Sequence, residues 1–198
     1  MEEVELKAAV PDLAAARERI ERAGGRLVFE GRLEDRRYDA VGRALASRDH
    51  VLRLRVYRAA GAVESAAIDW KGPTGYSGGY KVREELSSGV GDPAALAAIL
   101  DRLGYVVTRE IDREIAQYEV AGATVRFERY PRMDVLVEVE GTPEAIEAAV
   151  RATGLPREAF SSDRLPHFVG RYEARTGGRA ALCDRELAGD FRYSVSDA

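Results

Sequence analysis

Glu3-Val4-Glu5-Leu6-Lys7 opens the chain with a strict alternation of charged and apolar side chains. In an extended strand successive side chains point to opposite faces, so Glu3, Glu5 and Lys7 would share one face and Val4 and Leu6 the other. Pro11-Asp12 then breaks the alternation. Leu13, Ala16, Ile20 and Ala23 recur at helical spacing, with Asp12 placed to cap free amides and Gly24-Gly25 at the exit. From Arg26 to Tyr38 the sequence reads as a strand again.

The same order, charged strand then capped helix, recurs twice. Lys81, Arg83 and Glu85 alternate with Val82, Glu84 and Leu86 before Asp92-Pro93 starts a helix that runs to Gly104. Leu136-Val137-Glu138-Val139-Glu140 precedes Thr142-Pro143 and a helix ending near Gly154. The spacing is too irregular for a solenoid, so these are three supersecondary units within one fold. Further strands are expected at Val51 to Arg58, Ala66 to Lys71, Tyr105 to Tyr118 and Ala123 to Arg129, and a last helix near Arg164 to Thr176. The total is about eight strands and about four helices, mostly antiparallel.

Helices cover the apolar side of such strands, and the charged side must face either bulk water or a polar lumen. Antiparallel sheets often keep one wet side, whereas closing the sheet encloses the charge and removes exposed edges. The signs are grouped: carboxylates gather on the first and last units and bases on Arg53, Arg55, Lys71, Lys81 and Arg83, with Arg126 and Glu128 sharing a face of their own strand. The only three lysines, Lys7, Lys71 and Lys81, stand against 27 arginines, and each lies in an alternating stretch. Lys is a compact charge on a flexible stem and Arg a planar fork, so such placement points to positions where the ammonium shape matters.

At 198 residues the chain can bury one substantial core, expected over residues 1–176, with 177–198 as a C-terminal tail without clear period. It contains 45% hydrophobic residues but no apolar run of membrane-spanning length, and MEEVELK lacks a secretory plan, so a soluble cytoplasmic protein without membrane association is expected. One cysteine, Cys183, excludes an internal disulfide and a thiolate metal site, and two histidines, His50 and His167, read as loop or packing residues. Any metal would sit on carboxylates, which favours Mg²⁺ or Mn²⁺. A net charge of −4 lacks the broad basic field that nucleic acid requires, so an anionic ligand needs cations concentrated in one place. The glycine-rich stretch Gly72 to Lys81 is no P-loop, because Lys81 leads into a strand; it reads as a hairpin connection. A homodimer is compatible with the sequence, which does not specify one.

The ordered set Glu3-x-Glu5-x-Lys7, Arg53 and Arg55 in LRLR, Lys71 in WKGP, Lys81, Arg83 and Glu85 in KVREE, and Glu138 and Glu140 in LVEVEG resembles the CYTH superfamily, the triphosphate tunnel metalloenzymes. That group includes class IV adenylate cyclases, thiamine triphosphatases and inorganic triphosphatases. The resemblance runs from Glu3 to about Thr176 and implies an α+β fold: a closed antiparallel β-barrel of about eight strands, with helices packed on its outside. It implies Glu3, Glu5 and Glu138 as metal ligands, with Glu128 and Glu140 as additional ones, and Lys7, Arg53, Arg55, Lys71, Lys81, Arg83 and Arg113 as phosphate contacts. Lys71, Arg53 and Arg83 would orient the polyphosphate during catalysis. The implied reaction is adenylate cyclisation, ATP to cyclic AMP and pyrophosphate; the alternatives are hydrolysis of tripolyphosphate, thiamine triphosphate or another organic triphosphate, and a binding module for nucleotide or polyphosphate without turnover. Two places depart from the pattern. Arg113 is followed by Glu114 and Ile115 where relatives carry a second basic residue, and Arg132-Met133-Asp134 replaces the Gly-Leu-Gly turn of cyclase-like members.

Overall fold

The alternation at the amino terminus is realised as strand β1, Glu2–Ala9, in a computed structural model that describes residues 2–191 and 193, the side chains of Glu2 and Glu3 excepted. The expectation that the Glu3 carboxylate is a metal ligand therefore lies outside the described residues. After β1 come α1 (Leu13–Arg22), β2 (Arg26–Ala40), β3 (Val51–Ala59), β4 (Ala62–Lys71), β5 (Gly75–Ser77), β6 (Tyr80–Gly89) and α2 (Pro93–Arg102). The second half holds β7 (Tyr105–Val120), β8 (Ala123–Arg129), β9 (Leu136–Glu140), α3 (Pro143–Thr153), α4 (Leu165–Thr176) and α5 (Asp184–Ala188).

Each helix of the three repeated units starts where its capping residue stands. Asp12 accepts from the Ala15 amide at 3.0 Å, Asp92 from that of Ala95 at 2.9 Å and Thr142 from that of Ala145 at 3.3 Å, with Pro93 and Pro143 as first helical residues. The Gly72–Lys81 stretch is a hairpin. Gly78 and Gly79 have φ of 58° and 85°, the pair of positive values that a tight two-residue turn between β5 and β6 demands.

The strands pair antiparallel in the order β1-β9-β8-β7-β2-β3-β4-β6, and β6 returns to pair with β1, Glu5 lying opposite Lys81. Eight strands thus form a closed barrel, the architecture expected from the sequence, and β5 is a three-residue arm on β6. Closure forces one strand face inward, and the pattern of burial shows which. Leu6 and Ala8 pack outside the barrel with Ile20, Ile146, Ala149 and Val150 beneath α1 and α3, while Leu54, Val56 and Ala66 lie with Leu100 of α2. Burying each Leu or Ile contributes about 1.5–3 kcal/mol. The charged neighbours Glu5, Lys7, Lys81 and Arg83 are also buried, on the other face.

Five α-helices stand among the described residues, one more than the sequence suggested. The extra one, α5, spans five residues, too short to show a helical period. Its segment departs from the sequence reading, in which Cys183 falls in a C-terminal tail without clear period. Ala181, Leu182 and Cys183 are fully buried, the Leu182 carbonyl accepts from the Asp112 amide at 2.7 Å, and Leu182 joins Ile111, Tyr130, Leu136, Leu165 and Phe168 in a cluster under α4. Among the described residues no helix is long and apolar enough to cross a membrane.

Candidate active site

Every strand of the closed barrel sends charge into one central cavity. Glu5 and Lys7 come from β1, Glu138 from β9, Arg126 and Glu128 from β8, and Arg113 from β7. Asp35 and Arg37 enter from β2, Arg53 from β3, Lys71 from β4, and Lys81 and Arg83 from β6, with Arg164 at the start of α4 closing the rim. Among the described residues the lining counts nine cationic side chains against four carboxylates, an excess of five positive charges inside a chain whose net charge is −4. A walled, low-dielectric site with one dominant sign focuses its field on an anion.

The carboxylates hold the cations in three groups. In the first, Lys7 Nζ lies 2.8 Å from Glu5 Oε1 and also contacts Glu138 Oε2, Lys81 bonds the same Glu5 oxygen, and Arg126 pairs with Glu138. Burial by itself would raise the Glu5 carboxyl, but Lys7, Lys81 and Lys71 override it and hold it well below its usual value. Lys81 is the counterpart: burial, with Lys7 and Lys71 nearby, pulls it down to about 8 despite Glu5. In the second group Arg113 Nε donates to Glu128 Oε1 at 2.8 Å and the Tyr130 hydroxyl to Glu128 Oε2 at 2.6 Å. Burial would raise Glu128 too, yet Arg113, Arg126 and Lys7 bring it to about 2. In the third, Arg53 bridges Asp69 at 3.0 Å and Glu85 at 3.2 Å, and Lys71 lies 3.0 Å from Glu85.

Two of these cations keep buried donors without a hydrogen-bond acceptor among the described residues: Arg113 Nη1 and Arg126 Nε. Buried donors are almost always satisfied, so such atoms mark where an external acceptor fits. Arg83 is aimed by backbone, donating from Nε to the Gly72 carbonyl at 2.7 Å and from Nη2 to that of Asp49 at 2.6 Å.

Of the residues the sequence singled out, Glu5, Lys7, Arg53, Lys71, Lys81, Arg83, Arg113, Glu128 and Glu138 meet in this cavity. Arg55 and Glu140 do not line it. Arg55 is turned onto Asp69 and lies over the Tyr57 ring at 5.9 Å, and Glu140 sits further along, opposite Glu5 in the β1–β9 register. Sequence reasoning missed Asp35, Arg37, Arg126, Tyr130 and Arg164 as site residues. Asp35 and Arg37 had a signal: with Leu33 they form one face of β2, obscured by the unbroken charge of Glu34-Asp35-Arg36-Arg37. Arg164 had none, since it reaches the barrel only because α4 docks there.

The donor set suits a hard divalent cation in a limited way. Glu5 and Glu138 already converge on one cation, the Lys7 ammonium. Mg²⁺ commonly takes one or two carboxylates and completes its shell with substrate oxygens and water, which this pair allows. Glu128 has both oxygens engaged by Arg113 and Tyr130. No group of three His, Cys, Asp or Glu at ligand spacing occurs among the described residues.

A CYTH domain family model matches residues 1–159. The chain belongs to the CYTH family. Solved structures share this CYTH fold: a Vibrio parahaemolyticus protein described as a candidate adenylate cyclase is 17% identical, with TM-score 0.72 over 85% of this chain and 97% of its own. A Pyrococcus horikoshii protein is 23% identical, with TM-score 0.67 over 82% and 94%. A candidate adenylyl cyclase from Hippeastrum, described as having a dominant triphosphatase activity, is 18% identical, with TM-score 0.58 over 91% and 98%. Among curated proteins none matches significantly. At such identities the likeness extends to the fold, and α4 with the following segment lies beyond the matched CYTH region.

Proposed function

We propose that this CYTH protein is a divalent-metal-dependent enzyme that binds a triphosphate along the barrel lumen and cleaves it. The observation that carries this reading is the enclosed excess of five positive charges, with contributions from every barrel strand. A linear polyanion is the ligand class that meets cations on all sides of a narrow channel, and a point anion would leave most of them unused. Acidic side chains among them argue against a simple anion sink, which would gain nothing from Glu5 and Glu138.

Phosphoryl transfer asks little covalent chemistry of a protein; it asks for alignment and for neutralisation of charge on the equatorial and leaving oxygens. Arg53, Lys71 and Arg83 would hold the chain from one side and Lys7, Lys81, Arg113 and Arg126 from the other. Glu128 fixes the Arg113 fork, and Glu85 fixes Lys71 and Arg53, so the donors are positioned before the ligand arrives. A divalent ion on Glu5 and Glu138 would supply further charge neutralisation and a more acidic nucleophile.

Water is the nucleophile the lumen supports best, because its lining is almost wholly phosphate-directed: among the described residues Val51, Ile111 and Leu165 are its only aliphatic members, and the Tyr130 hydroxyl is bound to Glu128. Cyclisation is the second reading, with the ribose 3′-hydroxyl attacking the α-phosphorus and pyrophosphate leaving. A second cavity, which shares Arg37, Val51 and Arg164 with the lumen, favours keeping it. Purified protein with Mn²⁺ and either tripolyphosphate or ATP tests both. Orthophosphate from both substrates supports hydrolysis, cyclic AMP with pyrophosphate supports cyclisation, and no product with either would end the enzyme reading.

A further inference from the structure

Arg109, Ile111 and Arg113 share one face of β7. In the β2–β7 register they lie opposite Arg37, Asp35 and Leu33, and of these Ile111, Arg113, Arg37 and Asp35 line the lumen. Directly opposed residues of an antiparallel pair point to the same side, so the backbone of β7 aims Arg109 toward the lumen as well. Its guanidinium turns to a different partner. Nη1 donates to Glu186 Oε1 at 3.2 Å, and the Tyr193 ring lies over the same guanidinium at 5.4 Å.

Glu186 comes from α5, in the segment that follows α4 and lies beyond the matched CYTH region. Its carboxylate is held firmly. Oε2 accepts from the Leu182 amide at 2.8 Å and Oε1 from the Tyr193 amide at 3.3 Å. The helix that carries it is pinned on both sides: Asp184 accepts from Arg32 of β2 at 2.6 Å, and Arg185 donates to Glu110 of β7 at 3.1 Å. Behind it, Ala181 pairs with Arg132 through both backbone hydrogen bonds. The Glu186 and Arg109 side chains are 9% and 3% exposed, so salt screens their attraction little.

The pair nevertheless stands within reach of the lumen's field. Burial, and then Arg53, Arg109 and Arg113, pull the Arg37 guanidinium down to about 10 against the effect of Asp35. A polyphosphate lying along Arg37 and Arg113 would attract the arginine set beside both of them. Carboxylate and phosphate oxygens accept from a guanidinium in the same forked geometry, so the two compete for the same donors.

We infer that Glu186 is an internal competitor of the polyphosphate: its carboxylate draws Arg109 away from Arg37 and Arg113 and so limits the positive charge that the lumen offers. Glu186 acts through Arg109 and is a positioning residue. The inference rests on the triphosphate reading above and adds a restraint on affinity supplied by the C-terminal segment.

Calorimetry on the full-length protein in metal-free buffer, with tripolyphosphate as probe, tests it. Glu186→Gln keeps the side-chain length and removes the charge, and binding is expected to tighten about fivefold. Measured against Arg109→Met alone, the same change in Arg109→Met/Glu186→Gln is expected to give no gain, while Arg109→Lys/Glu186→Gln keeps most of it, because the effect passes through the cation at position 109. A merely structural Glu186 would show neither dependence. No gain in Glu186→Gln, or a gain that survives Arg109→Met, overturns the inference and leaves the triphosphate reading standing. Absence of tripolyphosphate binding in the unmodified protein overturns both. If Glu186→Gln does not fold, the unmodified protein still decides: hydrogen exchange at the Leu182 and Tyr193 amides, both bonded to Glu186, is expected to quicken at saturating tripolyphosphate, since competition is reciprocal. Unchanged or slower exchange there overturns the inference.

Discussion

Lys7 Nζ stands 2.8 Å from Glu5 Oε1 while also touching Glu138, so two carboxylates on neighbouring strands share one ammonium at the heart of the barrel. The arrangement is self-neutralising. A polyanion entering with its own cation can take the lysine and release the carboxylates to the ion. Glu5→Gln keeps the shape and removes the charge. Metal-stimulated turnover is expected to fall on the order of 10²-fold or more, while metal-free tripolyphosphate binding is at least as tight, because the lumen gains net positive charge. Steady-state assays beside calorimetry check both, and undiminished turnover would falsify the ligand role of Glu5.

Lys81 makes the binding pH-sensitive. With its ammonium pulled down to about 8 by burial and by Lys7 and Lys71, the free protein carries the charge below that pH and loses it above. Tripolyphosphate affinity should therefore decline as pH rises through about 8. Lys81→Arg, whose guanidinium stays charged, should flatten the decline. A wild-type profile level between pH 7 and 9.5 counts against Lys81 as a phosphate contact.

Arg113 bonds Glu128 through Nε and leaves Nη1 without a hydrogen-bond acceptor. Arg113→Lys keeps one charge and loses the fork, so tripolyphosphate affinity should fall about tenfold with only a modest loss of stability. Arg113→Met removes the cation bonded to buried Glu128 and leaves it Tyr130 and the more distant Arg126, so chemical denaturation should show a loss of about 3 kcal/mol. If both variants bind as the parent does, Arg113 Nη1 has no ligand to meet.

Cys183 is fully buried, and burial pushes its thiol up, away from the reactive thiolate. An aromatic disulfide reagent should leave it unmodified in the native protein and label it on unfolding. Leu182→Ala, in the same segment, should cost about 2–5 kcal/mol. Fast native labelling would show that residues 181–183 leave the barrel readily.

How far the sequence could be read depended on the range of the physics involved. The strand at Glu3 to Lys7, the caps at Asp12, Asp92 and Thr142, and the strand bounds at Ala123 and Leu136 all follow from local rules: alternation, free helix-end amides, proline at the first helical turn. Asp35 and Arg37 escaped because adjacent charges on both faces of β2 hide its period. The burial of Leu182 and Cys183 escaped because a short segment without periodicity says nothing about what covers it.

Alternation by itself determined which side chains share a strand face, since that is a property of extended backbone and L-residues. Whether the charged face met water or a lumen was decided by the pairing of β1 with β6, residues separated by most of the barrel. Only that closure converts opposed rows of Lys, Arg and Glu into a single cavity, and only the docking of α4 adds Arg164 to its rim. Both are long-range contacts whose partners no local pattern names, because their free energy comes from surfaces that meet after the strands have formed.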